Sequence, residues 1–384
     1  MTAPRIEVDL SKIRHNARCL VERLKSRGVS VTAVTKAVCG HPEIAQAMID
    51  GGAVGLGEAR MSNVKRLRKA GIECPITLIR TPMLSQVDQV ARFCDASYNT
   101  EMDVIARLAE VSRQTKTVHN IILMVEMGDM RDGIMPDRLE TIARQVIRLP
   151  GVVLKGIGAN FACFGGMVPD AAKMATLSRI ASEIEGACGP CMETISGGNS
   201  ANLPWAFGPF SKGRISDLRL GEAILLGMEP VSGDKIDGLF TDAFSLVGEV
   251  IETMANPAPN SVSFTDPTLA ALRLVPDNIH SVRSIIAIGK QDTDIAGLTL
   301  PADVTCLGAS SDHMVVQTTR SHPRVGSELR MRMNYSALMR AMNAPDITKA
   351  ILRETPPWKP NSASRDGPSL ELVQSGKPKK VGIH

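Results

Sequence analysis

The sequence predicts an α/β fold, a (β/α)8 (TIM) barrel followed by a mostly-β C-terminal domain. Short β-rich runs alternate with amphipathic helical patterns from Val29 to about Gly227, which is typical of parallel βα units. Eight such runs occur, the number that closes a barrel, with an open doubly wound sheet as the alternative. Beyond this stretch, proline, asparagine and β-branched residues dominate, which favours a β domain.

The predicted barrel strands lie in the order required for repeated βα units. They are "VSVTAVTK", "AVGLGE", "PITLIR", "ASYN", "NIILMVEMG", "VVLKGIGANF", "METISGG" and "DLRLGEAILLG". An amphipathic segment, "DLSKIRHNARCLVERLKSRG", precedes the first strand, and Ile13, Ala17, Leu20 and Leu24 form its apolar face. We therefore expect a helix there that packs on the barrel.

The chain divides into three predicted regions. Residues 1–230 form the barrel and residues 231–345 form the β domain. Residues 346–384 are rich in proline, serine and lysine, and this composition predicts a poorly ordered tail.

The composition narrows the class of protein. The chain has 384 residues, of which 43% are hydrophobic and 22% charged, as in a soluble globular enzyme. A net charge of +4 without a basic stripe argues against nucleic-acid binding. The chain has no apolar run long enough to span a bilayer, and its start lacks the apolar core of a signal peptide. We therefore expect a cytoplasmic protein with no membrane partner.

The eight cysteines show no disulfide spacing, as expected in a reducing compartment. The pair in "CGPC", Cys188 and Cys191, follows a helical stretch, whereas a redox pair begins a helix. A zinc site would need a second ligand pair at matching spacing. We therefore expect no bound metal.

Lys36 stands at the end of the first predicted strand. In a (β/α)8 barrel, the C-terminal ends of the strands face the active site. A partly desolvated lysine there has a lowered amine pKa and can form a Schiff base. The alternative is a lysine whose ammonium group simply reaches water from a strand end.

The seventh predicted strand ends in "SGGNS", which has the composition of a phosphate-binding turn. Glycines let backbone N–H groups approach an anion closely, and hydroxyl and amide groups flank them. Phosphate sites in this fold commonly follow strands seven and eight. The candidate residues are Ser196, Gly197, Gly198, Asn199 and Ser200, and the alternative is an ordinary glycine turn.

Further strand ends carry groups that could hold a cofactor. Arg219 lies in the apolar run "LRLGEAILLG" and needs an acceptor, either a structural ion pair or a ligand. Arg131 follows the fifth strand, where a guanidinium suits capture of a carboxylate, and Asn160 and Cys163 follow the sixth. An amine, an anion cradle and arginines at one barrel face together predict pyridoxal 5′-phosphate (PLP).

These segments resemble the alanine-racemase-like, fold-type III PLP enzymes. The resemblance rests on "IEVDLSKIRHNA", "AVTKAVCGH", "GLGEARMSN", "GIGANFACFGG", "ISGGNS" and "LRLGEAILLG", and it covers the chain up to the tail. Within that family the chain is most similar to the ornithine racemase branch. The resemblance implies a PLP-binding barrel, a C-terminal β domain, and a homodimer in which the partner's β domain completes each active site.

The resemblance also assigns roles to individual residues. Lys36 matches the lysine that forms the Schiff base, and Arg219 matches the arginine facing the pyridine nitrogen. The "SGGNS" turn matches the phosphate-binding turn, and Tyr335 aligns with a tyrosine that contacts the phosphate. Arg131 matches an arginine near the substrate carboxylate, whereas Asn160 stands where alanine racemases carry a histidine near the cofactor ring.

Racemisation needs a second group on the opposite face of Cα, and the sequence departs from the family here. Alanine racemases use a tyrosine of the partner's β domain, but the two tyrosines of this chain, Tyr98 and Tyr335, do not fit that segment. The candidate is His313 in "GASSDHMVVQ", since imidazole can exchange a proton near neutral pH. Asp312 could orient it. The alternatives are that the two residues form only a hydrogen bond at a strand end, or that Asp312 pairs with a substrate amine.

The predicted function is PLP-dependent racemisation of a basic amino acid such as ornithine, by two-base proton exchange at Cα. One alternative is a non-catalytic PLP carrier, although such proteins are a single barrel. The other is a PLP-dependent lyase, either a decarboxylase or an enzyme like D-threonine aldolase. Aldolases carry metal ligands near the C-terminus, which Cys306, Asp312 and His313 could imitate.

Overall fold

The computed structural model describes residues 2–164, 166–255 and 281–352, and it divides the chain into two compact units. The barrel unit runs without interruption from Leu10 to Ala243. The β unit combines the first nine residues with the chain from Phe244 onward. The barrel unit is thus inserted in sequence between two segments of the β unit.

The chain begins with β1 (Arg5–Asp9) and α1 (Leu10–Lys25) and then enters a closed parallel barrel. The barrel strands are β2 (Ser30–Val34), β3 (Gly55–Glu58), β4 (Ile76–Leu78), β5 (Ala96–Asn99), β6 (His119–Val125), β7 (Val152–Ala159), β8 (Thr194–Ser196) and β9 (Asp217–Leu220). Each pairs in parallel with the next, and β9 pairs with β2 to close the ring. The predicted (β/α)8 barrel is therefore confirmed.

Helices connect the barrel strands. They are α2 (Pro42–Asp50), α3 (Met61–Lys69), α4 (Val87–Phe93), α5 (Met102–Gln114), α6 (Pro136–Ile147), α7 (Ala171–Cys188), α8 (Leu203–Phe207) and α9 (Glu222–Leu226). Proline occupies the first position of α2 and α6, where its missing N–H costs no helical hydrogen bond. Asp170 caps α7 by accepting the Lys173 N–H. In α1, the predicted apolar face formed by Ile13, Ala17, Leu20 and Leu24 is fully buried.

The β unit is a mixed sheet that contains the predicted mostly-β domain. Its strands are β1, β10 (Phe244–Ala255), β11 (Val282–Ile286), β12 (Leu298–Thr299), β13 (Val304–Ala309), β14 (Met314–Thr318), β15 (Glu328–Met333) and β16 (Thr348–Leu352). The main path runs β12-β15-β10-β11-β14-β13, with antiparallel neighbours. Helix α10 (Tyr335–Asn343) is capped by the Asn334 side chain.

The first strand ties the N-terminus into the β unit. β1 pairs antiparallel with β10 and parallel with β16, so that Ile6 lies opposite both Leu246 and Lys349. The Arg5 guanidinium forms ion pairs of 2.6 Å with Glu7 and with Glu328 in β15. Part of the predicted tail forms β16, and from residue 353 onward the tail lies outside the described residues.

Two further properties concern helix hydrophobicity and the cysteines. No helix within the described ranges is long and apolar enough to cross a membrane. All eight cysteines are free thiols.

Candidate active site

Lys36 lies just past the end of a barrel strand. β2 ends at Val34, and Lys36 begins a 3-10 turn over Lys36–Val38, so the lysine follows the strand and does not end it. Burial lowers the pKa of its amine. Cys163 opposes this shift, and the positive charges of Arg131 and Arg219 lower the pKa further. The lysine thus carries an amine with an increased neutral, nucleophilic fraction.

Glu58 anchors the turn that carries Lys36. Its side chain is fully buried at the end of β3, where Oε2 accepts a hydrogen bond from Thr35 Oγ1 at 2.9 Å. Its Oε1 accepts the Ala59 N–H at 2.6 Å. Burial raises the pKa of this carboxyl group. Because Thr35 directly precedes Lys36, the Glu58 contact fixes the backbone from which the lysine extends.

Arg219 is held inside the barrel on β9, with only 4% of its surface exposed. Its guanidinium lies over the Tyr98 ring, 4.4 Å from the centroid, and Nη2 donates to the Ala159 carbonyl. Its Nε is buried and has no hydrogen-bond partner among the described residues. A buried donor without an acceptor is costly, so this N–H is available to donate to a ligand acceptor.

The first residues of the "SGGNS" turn are hydrogen-bonded to the neighbouring strand, whereas the later ones present backbone N–H groups. Ser196 Oγ donates to Asp217 Oδ2 at 2.7 Å, and the Gly197 N–H donates to the Asp217 carbonyl at 2.9 Å. Gly198 has φ +99°, and a Cβ there would lie 2.8 Å from the Phe161 ring. A side chain at Gly198 would therefore be excluded by both conformation and space.

The later residues of the turn present backbone donors. Among the described residues, no acceptor bonds the N–H groups of Gly198, Asn199 or Ser200. The Asn199 side chain holds the turn in place, since Nδ2 donates to the Phe161 carbonyl at 2.8 Å and Oδ1 accepts the Ala201 N–H at 3.0 Å. Successive free N–H groups of this kind form an anion-binding concavity.

Asp132 links Arg131 with Asn160. Arg131 Nε lies 3.2 Å from Asp132 Oδ1 and 3.4 Å from Asp129 Oδ2. Asn160 Nδ2 donates to the same Asp132 oxygen at 3.2 Å, directly after β7. Arg131 thus uses its Nε for positioning, while its two terminal nitrogens have no hydrogen bond within the described residues.

The remaining predicted residues belong to the β unit. Asp312 and His313 lie in the turn between β13 and β14, and Asp312 Oδ1 is 2.9 Å from His313 Nδ1. Ser311 Oγ donates to the same Asp312 oxygen at 3.1 Å. Tyr335 begins α10. Within the ranges the structure describes, no three His, Cys, Asp or Glu side chains are placed to hold a metal ion, so Cys306, Asp312 and His313 form no such set.

The sequence analysis missed several residues of this site. Tyr98, under the Arg219 guanidinium, and Asp217, which binds the "SGGNS" turn, were not singled out for these contacts. Asp132, which follows Arg131 directly, was given no role. A signal did exist for Asp217, because it stands two positions before Arg219 in one strand, on the same side of the sheet. No such signal existed for the contact of Arg219 with Tyr98, because these residues come together only when the barrel closes.

The assembled groups fit a particular kind of ligand. A reactive amine suits an aldehyde, three free N–H groups suit a phosphate, and the buried Arg219 Nε suits a neutral acceptor such as a ring nitrogen. The unpartnered Arg219 Nε supports this fit, because a buried donor that no described residue satisfies can donate to a ligand.

Comparison with known proteins identifies the family of the chain. Residues 8–229 match the family model described as "Alanine racemase, N-terminal domain". A lysine racemase of Thermotoga maritima is 37% identical over 355 residues, which cover 91% of this chain and 98% of that protein. An ornithine racemase of Acetoanaerobium sticklandii is 31% identical over 91% of this chain and 99% of that protein.

A solved structure shows the same architecture at lower sequence identity. The alanine racemase from D-cycloserine-producing Streptomyces lavendulae aligns with a TM-score of 0.73 at 18% identity, over 92% of this chain and 99% of that one. The family model covers more than half of the chain, and two relatives above 30% identity span nearly all of it. The chain belongs to the alanine racemase family.

Proposed function

We propose that this protein is a PLP-dependent racemase of a basic amino acid, with lysine or ornithine as the substrate class. The observation that carries the proposal is the half-buried Lys36, whose amine has a lowered pKa, in the same barrel as the unpartnered Arg219 Nε. The names of the two full-length relatives support the substrate class. The free cysteines are consistent with a cytoplasmic enzyme.

Five groups would contact the cofactor. Lys36 would bind its aldehyde, the N–H groups of Gly198, Asn199 and Ser200 would bind its phosphate, and Arg219 would face its ring nitrogen. Tyr335 would contact the phosphate, and Asn160 would lie near the ring. When bound, PLP withdraws electrons from the substrate Cα and so acidifies the Cα–H bond. Because a guanidinium retains its proton, Arg219 leaves the ring nitrogen unprotonated, which limits side reactions.

The chain's own residues then exchange the Cα proton. The Lys36 amine would remove or return the proton on one face. Arg131 would bind the substrate carboxylate with its terminal nitrogens, since its Nε is already held by Asp129 and Asp132.

His313 would serve the opposite face, from the β unit of the partner in a homodimer. The Asp312 carboxylate beside Nδ1 favours the tautomer that carries the proton there, which leaves Nε2 as the exchanging atom. This contact favours an orienting role for Asp312 over direct pairing with a substrate amine.

Proton exchange in D2O tests the function. PLP-loaded protein is incubated with single L-amino acids, and loss of the Cα–H signal is followed together with optical rotation. We expect exchange with loss of rotation, strongest for lysine and ornithine. Lys36→Ala should lose the visible absorbance of the bound cofactor and all turnover, whereas Lys69→Ala, an exposed lysine at the end of α3, should retain both. An active Lys36→Ala protein would contradict the proposal, and an intact but inactive wild type would indicate a PLP carrier.

The His313 assignment has a sharper test. If Lys36 and His313 serve opposite faces, His313→Gln should exchange the α-proton of one enantiomer without loss of optical rotation. His322→Gln changes an exposed histidine of the same unit and should leave racemisation unchanged. Equal loss of exchange from both enantiomers would remove His313 as the second base.

A further inference from the structure

Glu222 is a carboxylic acid at the active-site end of the barrel to which the proposed mechanism gives no role. It is the first residue of α9, which follows β9 and its Arg219. The intervening Gly221 packs closely on β2, because a Cβ there would lie 3.2 Å from Val34 Cβ. Glu222 therefore lies beside the strand end that leads to Lys36.

The surroundings of Glu222 change the pKa of its carboxyl group. Burial raises its pKa to about 7, and the negative charge of Glu229 adds to this effect. The positive charge of Lys36 acts in the opposite direction, so the amine and the carboxyl group lie within electrostatic reach of each other. A cation that approaches Glu222 therefore lowers the pKa of its carboxyl group and favours the ionised form.

Other buried carboxyl groups of the barrel unit are hydrogen-bonded. Glu58 accepts bonds from Thr35 and Ala59, Asp217 from Thr32 and Ser196, and Glu229 from the Val231 N–H and from Ser232. By contrast, the Glu222 carboxyl group has no hydrogen bond or ion pair to any part of the chain that the structure describes. A half-buried acid left without a partner is the feature expected of a ligand contact.

Building on the proposed racemisation of basic amino acids, we propose that Glu222 determines substrate preference by pairing with the cationic side chain of the bound amino acid. To accept the Cα proton, the Lys36 amine must be neutral, so Glu222 then has no positive charge of Lys36 to compensate it. The ammonium of lysine or ornithine supplies that cation inside a water-poor site, where an ion pair is stronger than in water. Asp312 is less suited to this role, since its carboxylate already contacts Ser311 and His313.

The proposal has a consequence for pH. Glu222 is more ionised above pH 7 than below it, so the preference for a cationic over a neutral substrate should rise through this range. Glu229 and Lys36 are the charged groups that act on Glu222, while Cys163, Arg131, Arg219 and Glu58 act on Lys36. Effects that are common to both substrates cancel in the ratio of their kcat/KM values.

The first experiment compares L-lysine with L-norleucine, which has the same carbon chain without the ammonium group. In Glu222→Gln, kcat/KM for lysine should fall at least roughly tenfold relative to that for norleucine, and the pH dependence of the ratio should disappear. Glu222→Asp keeps the charge and should retain part of the preference. Glu101→Gln makes the same substitution at an exposed residue after β5 and should change neither value.

A second experiment measures binding without turnover. Cofactor-free protein is titrated with the reduced, stable conjugates of pyridoxal phosphate with lysine and with norleucine. The wild type should bind the lysine conjugate more tightly, and Glu222→Gln should bind the two with similar affinity. Far-UV circular dichroism and binding of PLP alone establish that the variants are folded.

The outcomes separate the two proposals. Equal losses for lysine and norleucine, or no change in either, would overturn the role of Glu222 and leave the racemase intact. If the wild type racemises neither amino acid, the proposed function fails. The conjugate titration then still decides whether Glu222 selects a cationic side chain, because equal affinities of the wild type for the two conjugates would overturn that role as well.

Discussion

Protonation of a buried histidine should make the protein markedly less stable in mild acid. His119 begins β6 with only 2% of its surface exposed, and its Nε2 lies 2.8 Å from Ser97 Oγ. Burial lowers the pKa of His119 from 6.5 to about 4. The folded protein therefore keeps this imidazole neutral at pH values where the unfolded chain binds a proton.

The size of the effect follows from the pKa difference. A shift from 6.5 to about 4, at about 1.4 kcal/mol per pKa unit, corresponds to roughly 3 kcal/mol of unfolding free energy. Because the folded-state pKa is the lower one, this contribution is fully present above pH 6.5. It is lost as the pH falls from there towards about 4.

The assay is urea unfolding of the wild type and His119→Gln at a fixed protein concentration, between about pH 4.5 and pH 8. Glutamine keeps a polar group near Ser97 but does not titrate. The free-energy difference between wild type and variant should shrink by up to roughly 3 kcal/mol towards the acid end. Glu222, whose pKa is also shifted, titrates in both proteins and cancels in the difference. A difference that stays constant with pH would refute this reasoning.

Two glycine substitutions test close approaches in the barrel unit, and a third serves as their control. Gly198→Ala places a Cβ at φ +99° and 2.8 Å from the Phe161 ring, so we expect at least a roughly tenfold loss of PLP affinity with the fold retained, measured by absorbance titration. Unchanged affinity would contradict the phosphate assignment. Gly156→Ala places a Cβ 1.8 Å from the Thr194 carbonyl in the neighbouring strand and should cost about 3 kcal/mol or more in urea unfolding. The matched control is Gly186→Ala in α7, where a Cβ meets nothing within 4 Å, and it should stabilise by about 0.5–1 kcal/mol.

The barrel could be predicted from the sequence because its signals are local. The eight strands are short runs that alternate with helical patterns along the chain, and the face of α1 repeats with helical spacing, so neither signal depends on distant partners. The prediction that Lys36 lies at the mouth of the barrel required only the rule that strand ends meet at one face. Its place in a 3-10 turn beyond β2 depends on the Thr35 contact with Glu58, which comes from another strand.

Non-local pairing explains what the sequence did not reveal. The segment "RIEVD" is too short to identify as a strand by itself, and its partners, β10 and β16, lie at the far end of the chain. The stacking of Arg219 on Tyr98 likewise joins residues from two barrel strands that are not neighbours. Both features form only when segments that are distant in the sequence come into contact, so no local pattern could indicate them.

The same non-local closure accounts for the chemistry proposed for Lys36. A lysine at a strand end is ordinarily an exposed ammonium, and nothing in "VTAVTKAV" makes its amine reactive. Closure of the barrel buries this amine and brings the charges of Arg131 and Arg219 to bear on it, and all three effects lower its pKa. This arrangement is costly, because like charges repel and the Arg219 Nε has no acceptor in the part of the chain that the structure describes. A ligand with an aldehyde, a phosphate and a ring nitrogen, such as the PLP proposed above, would relieve these costs with different groups, so the features that are unfavourable within the chain alone are those that the proposed cofactor would satisfy.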